Sequence, residues 1–424
     1  MGSLSLTLEI AKNTLLNTQV LIQTSSHNIS NADNKAYARQ KTMMVSNSPL
    51  QMRAGWLGMG AGIDRIIQQR DQFVEKRFME SVSKEADYKA RSERLSTIES
   101  YFSDNGQEGI SQALGAFWDA WEALSTNPGG ISEQTYVGQS AQVLVDSIRD
   151  SYNQLADFTD SLEQEVQDGT GQVNSLISEI ATYNDEIMKA ELGADQSAND
   201  LRDLRYQALT KLSEWVPVSY TEDSTGSLTV TLEDYSSSIT LVSGSQAGSL
   251  QYDTTDHRIT YLDYQSSSYT PQATPPEPNS LSGGRLNGLL NVFESTKDSH
   301  DISFVLSNPD DPSLTYLDRL NAFTATLITQ VNNVHMQSGG SAVFDSSVIV
   351  SGFKANEIQI DAGFTPDDSQ ALNLADLQDR TFANIGDSQF GQYLADVQQQ
   401  LGLQNQNALS LGSFHGSLRE QLEA

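Results

Sequence analysis

The stretch between residues 137 and 187 constrains the fold more than any other feature of this sequence. Its apolar residues recur at intervals of three and four, the spacing that gathers side chains on one face of an α-helix. They are Val137, Ala141, Leu144, Ile148, Leu155, Phe158, Leu162, Val166, Val173, Leu176, Ile180, Tyr183 and Ile187. If uninterrupted, about 55 residues would form a rod of roughly 80 Å. The glycines of Asp168-Gly169-Thr170-Gly171 leave a kink or a break open. We therefore expect an elongated, largely helical protein.

The N-terminal segment predicts a helix with a narrow apolar seam. Its apolar positions alternate in steps of four and three, as in a coiled coil; they are Leu4, Leu8, Ala11, Leu15, Thr18 and Ile22. So thin a stripe buries too little surface to hold a lone helix, so the segment should be disordered until it meets a partner helix. The alternative is an ordinary surface helix of its own domain. The small polar residues from Thr24 to Asn34 predict that the helix ends there.

Further helices are predicted over Asp71–Phe102, Ile110–Ser125, Asn199–Trp215, Gly284–Ser295 and Leu314–Gln337, and from Gln389 to the end of the chain. The first of them should face inward with Phe73, Phe78, Val82, Leu95, Ile98 and Phe102. In the second, an aromatic stripe of Phe117, Trp118 and Trp121 indicates a buried core rather than a ligand site. Gly55, Gly58, Gly60 and Gly62 predict a loop around Trp56.

The period changes to two between Val216 and about Gln272, where Leu228, Val230 and Leu232 alternate with polar residues. This predicts a small β-rich segment, followed by a proline-rich linker over Pro271–Asn279. Residues 339–386 suggest short strands and loops around Val348, Ile349, Val350, Ile358 and Ile360. The predicted fold class is mainly α with a β-rich part: elongated and multi-domain, with a long helical-bundle core and a small β-rich domain or insertion.

Five segments are predicted along the chain. Residues 1–40 form the terminal helix and its turn, and residues 41–215 form an elongated helical-bundle domain. The β-rich segment covers residues 216–280, and residues 281–340 return to the bundle as helices. Residues 341–424 form a small α/β outer region that leads back toward the bundle. A chain of 424 residues suits this multi-domain division.

Composition excludes several classes of function. The formal charge of −30 argues against binding to nucleic acid or to anionic membranes, both of which require clustered Lys and Arg. The absence of cysteine excludes disulfides, thiol catalysis and Cys-ligated zinc. The first 22 residues lack the basic cluster and apolar run of a Sec signal peptide, and no stretch is apolar enough to span a bilayer.

A search for catalytic and ligand-binding motifs predicts no catalytic, cofactor or metal site. None of the five histidines has a zinc-helix spacing with another, and HExxH, GxSxG and P-loop motifs are absent. The glycines of residues 58–62 follow no apolar strand and have the wrong spacing for a dinucleotide. The acidic pairs Asp310-Asp311 and Asp367-Asp368 lack the alternating oxygen ligands of an EF-hand loop, so they are read as solvated loops.

One motif resembles a known signature. Ser25-Ser26-His27-Asn28-Ile29-Ser30-Asn31-Ala32, continued by Tyr37-Ala38-Arg39-Gln40, is similar to the N-terminal signature of flagellar rod, hook and hook-associated proteins. Asn34-Lys35-Ala36 stands where that superfamily usually has Thr-Pro-Gly. Later stretches, in the same order along the chain, resemble the hook-associated protein 1 family: residues 58–77, 117–128, 199–205, 282–290 and 331–335. In the third of these stretches, residues 199–205, Arg202 departs from the family's box, and so does Tyr206, which follows it.

The resemblance implies a structural subunit that joins hook to filament and assembles as a ring after type III export. Its implied partners are hook subunits, a second junction protein and filament proteins, further copies of itself and an export chaperone. Its implied location is the extracellular flagellum. The candidate interface combines the seam, Leu4, Leu8, Ala11, Leu15 and Ile22, with the bend, His27, Asn28, Asn31 and Tyr37.

The resemblance also implies a C-terminal amphipathic helix that pairs with the N-terminal one and opens with an Asp-Glu-Glu box. This sequence reaches Ala424 without that box, so the expectation is a seam that lacks its partner. Two other classes remain open. One is another axial flagellar subunit of the hook or rod type, and the other is a secreted coiled-coil adhesin or extracellular enzyme.

Overall fold

The structure is a computed structural model, and it describes residues 2–52, 55–102, 109–192, 197–223, 225–233, 238–262, 264, 270, 271 and 281–423. Its helices are α1 (Gly2–Ser30), α2 (Gln72–Phe102), α3 (Ile110–Thr126), α4 (Ile131–Glu191), α5 (Asn199–Trp215), α6 (Arg285–Thr296), α7 (Ile302–Ser307), α8 (Tyr316–His335), α9 (Ala371–Ala375) and α10 (Phe390–Glu423). The strands are β1 (Gln40–Ser46), β2 (Leu50–Met52), β3 (Gly55–Leu57), β4 (Ala61–Gln68), β5 (Val218–Glu222), β6 (Leu228–Glu233), β7 (Ser238–Ser243), β8 (Gln246–Ala247), β9 (Ser249–Asp253), β10 (Arg258–Leu262) and β11 (Thr270–Pro271).

The long helix α4 runs for 61 residues without a break, so the glycines near residue 170 do not interrupt it. Packing explains the first of them. A Cβ on Gly169 would lie 2.6 Å from the Trp215 ring and 2.8 Å from Leu286, so only glycine leaves room for these side chains. The predicted apolar positions of α4 are buried, with the exception of the half-buried Tyr183. The helical spacing therefore predicted both the helix and its inward face.

The chain divides into two compact units, and the first contains residues 1–87, 167–287 and 412–424. Its β structure is antiparallel: β1 pairs with β4, β2 with β3, and β5 to β8 form a sheet in chain order, while β9 and β11 flank β10. Two asparagines of α4 hold these sheets by pairing with backbone. Asn174 bonds both the N–H and the C=O of Leu250, and Asn184 does the same to Leu228. The β-rich segment that the alternating pattern predicted is thereby docked on a helix.

The second unit contains residues 88–166 and 288–411, and α8 lies at its centre. Most side chains of α8 are buried, including Leu320, Phe323 and Leu327. The aromatic stripe of α3 is core as predicted, since Phe117 and Trp121 are fully buried. The core's aromatic rings also include Phe344 and Phe390, which contact Phe117 and Trp118 respectively. A capping box between Thr315 and Asp318 fixes where α8 begins.

Several sequence predictions are wrong. The expected loop around Trp56 contains β3, and β4 begins at Ala61. Phe73 is exposed rather than inward-facing, because it lies in the first turn of α2 before that helix packs. Residues 339–386 form 3-10 turns, α9 and isolated bridges such as Phe344 to Ile360 instead of strands. Helix α7, which has only six residues, was not predicted from the sequence. Of the predicted linker, residues 272–279 lie outside the described residues.

The five predicted segments are stretches of sequence, whereas the two units are defined by packing. Segment boundaries at residues 40, 215, 280 and 340 therefore stay a prediction. The fold class is confirmed as mainly α with a β-rich part.

The second unit should lose stability in alkali. Burial raises the pKa of Tyr316 and of Tyr393 to about 12 each, above the ordinary 10.0. A folded-state pKa above the unfolded value means that this stability is fully present below pH 10 and is lost as the pH rises toward 12. At pH 12 the loss is roughly 2–3 kcal/mol per tyrosine. Urea unfolding across this range measures it, and Tyr393→Phe should weaken the dependence. A midpoint that does not move up to pH 12 would contradict the prediction.

Candidate assembly interface

The first helix, α1, presents its predicted apolar seam to solvent. Leu4, Leu8, Leu15 and Ile22 are each between 65% and 79% exposed, and Ala11 is exposed on the same face. The helix continues to Ser30, beyond the predicted seam, and Ile29 follows Ile22 by seven residues with 77% of its surface exposed. Since seven residues are two helical turns, Ile29 extends the seam. A seam of this kind is the surface that helices use to pair.

The opposite face of α1 packs on the β1–β4 pair. Its half-buried or buried residues also recur in steps of four and three; they are Leu6, Ile10, Asn13, Asn17, Val20 and Thr24. Asn17 donates from Nδ2 to the Ala61 carbonyl at 2.6 Å, and Thr42 donates from Oγ1 to the Thr24 hydroxyl at 3.3 Å. Because these positions lie half a helical turn from the seam, packing on the strands leaves the seam outward.

A clasp of His27, Asn28 and Tyr37 joins the end of α1 to the start of β1. Asn28 bonds both backbone groups of Gln40, at 2.9 Å each, and accepts from the Tyr37 hydroxyl at 2.7 Å. The hydroxyl therefore accepts from His27 Nδ1, 3.0 Å away, which assigns the ring proton to Nδ1. The two rings meet edge to face at 5.4 Å. Asn31 donates to the His27 carbonyl and closes the helix end.

A buried latch centred on Asp203 of α5 holds the next part of the chain. Its Oδ1 accepts from the Ala38 amide at 3.0 Å, from Gln68 Nε2 at 2.8 Å and from Arg70 Nη2 at 2.8 Å. Arg70 also donates to Glu75 at 2.9 Å, and its guanidinium lies 3.8 Å from the centre of the Tyr206 ring. The latch thus ties one end of the β1–β4 pair to α5, the end where β1 begins and β4 finishes.

In the latch, burial disfavours the charged forms of Asp203 and Arg70, and ion pairing favours them. Burial raises the pKa of Asp203, although the Ala38 amide and Arg70 oppose that rise. Burial also lowers the pKa of Arg70, but Glu75 and Asp203 outweigh it, so that pKa is raised overall. Both pKa values are raised, which favours the charged guanidinium but disfavours the charged carboxylate. The guanidinium has two carboxylate partners, whereas Asp203 has one cation. Removing Arg70 leaves the buried Asp203 carboxylate without a cation, which is the costly case, whereas removing Asp203 leaves Arg70 with Glu75 as its one carboxylate partner.

The structure separates the nine predicted interface residues into two groups. The five seam residues share the exposed face of α1 and make no part of the bend. His27, Asn28 and Tyr37 contact one another, and Asn31 lies beside them. Their role in assembly stays a prediction. Sequence reasoning missed Ile29, since the polar residues around it indicated a helix end. It also missed Arg70 and Asp203 as partners, since 133 positions separate them.

Among the described residues, no group of three or more His, Cys, Asp or Glu side chains is placed to hold a metal ion. A cavity of about 320 Å³ beside the latch is lined by charged groups that pair with each other, such as Arg205 with Glu222. No helix within the described ranges is long and apolar enough to span a membrane.

Comparison with known proteins identifies relatives of one kind. The family model for the flagellar hook-associated protein FlgK helical domain matches residues 95–342. Flagellar hook-associated protein 1 of Salmonella typhimurium is 26% identical over 311 residues, which cover 72% of this chain and 54% of the relative. The protein of the same name from Bacillus subtilis is 24% identical over 233 residues, covering 53% and 46%. The chain spans about half the length of the curated relatives it matches.

The similar solved structures include that of the flagellar hook junction protein FlgK from Burkholderia pseudomallei. It has 20% identity and a TM-score of 0.48, and the match covers 65% of this chain and 46% of that one. The helical-domain model, by contrast, covers more than half of the present sequence. The chain therefore belongs to the FlgK family of flagellar hook-associated proteins, which confirms the predicted family.

Proposed function

We propose that this chain is a structural subunit of the bacterial flagellum that joins the hook to the filament. The relatives' names supply the location: they are hook-associated protein 1 and a hook junction protein. The observation that carries the proposal is the exposed seam of α1 in a chain of this family. A monomer that leaves such a seam in water gains by pairing it with another helix.

Burial of the seam supplies the driving force for assembly. Fully burying one leucine or isoleucine contributes roughly 1.5–3 kcal/mol, and Leu4, Leu8, Leu15, Ile22 and Ile29 are all exposed. Neighbouring subunits in a ring bring their helices close enough to cover these side chains. The net charge of −30 opposes association, because free subunits of like charge repel one another. Assembly would then require the closely placed neighbours of a growing ring.

The clasp and the latch give the seam a fixed direction. Asn28 joins α1 to β1, and Asp203 joins the β1–β4 pair to α5. Because both sets of hydrogen bonds are present in every copy, α1 and its seam have the same orientation relative to β1, β4 and α5 in each one. Equal angles are what a ring of identical subunits requires.

The remaining elements of the proposal concern export, partners and chemistry. We propose that the chain leaves the cell through the type III apparatus with the help of an export chaperone, and that it contacts hook subunits, a second junction protein and filament proteins. A sequence with no cysteine can cross between redox compartments without forming cross-links. The proposed role is structural and not enzymatic, and needs no cofactor.

Deletion of the gene tests this function. Electron microscopy of the deletion strain should show hooks without filaments, and the medium should contain unpolymerised flagellin. Restoring the gene should restore filaments. Normal filaments in the deletion strain would refute the junction role and favour a surface adhesin. Loss of the hooks themselves would favour a hook or rod subunit.

A further inference from the structure

We propose that the ribbon module, residues 40–52 and 55–68 with strands β1 to β4, is a docking surface that binds the acidic segment 298–387 of a second copy of this chain. The inference rests on the proposed function, because it assigns a second contact to the same self-association. The ribbon contact is made by strands and depends partly on opposite charges, whereas the α1 seam contact is made by a helix and depends on apolar burial.

The ribbon module exposes an unusual density of large apolar side chains. Trp56 is 68% exposed, and five others within 15 positions of it are exposed as well: Met43, Met44, Val45, Leu50 and Leu57. Clustered exposed apolar side chains mark interaction sites. Residues 43–59 also contain four of the chain's eight methionines, whose flexible side chains adapt to irregular surfaces. Trp and Met are both enriched at the centres of protein interfaces.

Charge along the chain is strongly segregated. The first 70 residues contain seven Lys and Arg against three Asp and Glu, a formal charge of +4, so the remaining 354 residues carry −34. Within the ribbon module, Lys41 and Arg65 are exposed. Arg65 lies directly opposite Met43 across the strand pair and forms a surface ion pair with the neighbouring Asp64. The apolar patch is therefore bordered by basic groups, whereas the rest of the molecule is acidic.

The acidic segment supplies the complementary surface. Residues 298–387 contain 13 Asp and Glu against three Lys and Arg, a formal charge of −10 in 90 residues. Many of these carboxylates belong to exposed turns, and hydrogen bonds from Ser303 and Ser351 hold the pKa of Asp301 well below its usual range, so that group stays charged in acid. Opposite potentials steer two copies together and fix which surfaces meet.

The partner is a second copy because each copy carries both surfaces. A contact between one surface and a different one on the next copy is head-to-tail, and such contacts close into rings when the rotation allows it. The apolar patch supplies contact area at the centre, and Lys41 and Arg65 pair with carboxylates at the rim.

Cross-linking from a single cysteine tests the contact, since the chain has no cysteine of its own. Leu57→Cys carries a thiol-linked benzophenone, and Gln172→Cys on an exposed position of α4 is the matched control. An equal mixture of heavy-isotope and ordinary chains separates links between copies from links within one. We expect at least about tenfold more cross-linked dimer from position 57 than from position 172, with links mapping to residues 298–387. Links that map elsewhere, or no enrichment over the control, overturn the proposal.

Salt and surface variants separate this contact from the seam. The dimer yield at position 57 should fall about tenfold between roughly 0.05 M and 0.5 M salt, because salt screens exposed charges. Met44→Ser with Trp56→Ser should abolish it while leaving the circular dichroism unchanged. Leu8→Ser with Leu15→Ser should leave it in place. If only the leucine variant removes it, the docking surface is wrong and the proposed function stands. Ribbon-dependent binding to phosphatidylserine vesicles in place of dimer cross-links would also overturn it.

Discussion

Replacing two seam leucines, Leu8→Ser with Leu15→Ser, should abolish filament attachment while leaving the free chain as stable as before. Both side chains are 73% exposed, so their removal costs the monomer little. In the assembled ring the same change removes two buried leucines per copy, or roughly 3–6 kcal/mol at about 1.5–3 kcal/mol each. Assembly should weaken by at least about a hundredfold. The readouts are flagellin shed into the medium and urea unfolding of the purified chain.

The same helix provides a matched control. Leu16 and Leu21 are also exposed, but they lie about a quarter of a turn or more away from the seam. Leu16→Ser with Leu21→Ser changes hydrophobicity by the same amount and should preserve filaments. Equal loss with both pairs would show that general hydrophobicity of α1 matters, and not the seam.

Removing the carboxylate of the latch, Asp203→Ala, should destabilise the first unit by about 3–5 kcal/mol. That is the typical cost of breaking a buried charge pair, because the guanidinium of Arg70 stays largely buried and keeps only Glu75 as a carboxylate partner. Three donors lose their acceptor at once: the Ala38 amide, Gln68 and Arg70. Urea unfolding followed by circular dichroism measures the loss. Hydrogen exchange should show the earliest increase in β1 and β4.

Two further variants sharpen this prediction. Asp200→Ala lies one turn before Asp203 on α5, but its side chain is 78% exposed, so the change should cost under about 0.5 kcal/mol. Asp203→Asn keeps an acceptor oxygen and loses the charge, so an intermediate cost is expected. If Asp203→Ala unfolds at the same urea concentration as Asp200→Ala, the latch does not hold the strands to the helix.

Helices with a regularly spaced buried face could be predicted from the sequence. Strands with mostly exposed side chains, and contacts between residues far apart in the chain, could not. The helices α4 and α5 were predictable because apolar spacing reports the buried face directly. The strands β1 to β4 were not, since most of their side chains are exposed and no alternation results. The turns between residues 339 and 386 contain β-branched residues such as the buried Ile358, so their composition resembles that of strands.

The candidate interface divides in the same way. The five seam residues were identified by spacing alone, because a coiled-coil pattern describes one helix face. The clasp was located by resemblance to a family signature, and its hydrogen bonds required coordinates. The latch joins Arg70 to Asp203 over 133 positions, and no local pattern reports such a contact. The seven-residue spacing from Ile22 would have placed Ile29 on the seam, but the polar residues around Ile29 indicated that the helix had already ended.

Assembly should bury the seam of α1, and this burial can be measured by thiol protection. Because the chain has no cysteine, Ala11→Cys places a single reactive group on the seam, and Glu9→Cys places one on the same helix away from it. In the free chain both thiols should react with maleimide at similar rates. In isolated flagella the Ala11→Cys thiol should react at least about a hundredfold more slowly than in the free chain, and more slowly than the Glu9→Cys thiol. An Ala11→Cys thiol that reacts as fast in flagella as in the free chain would contradict the account.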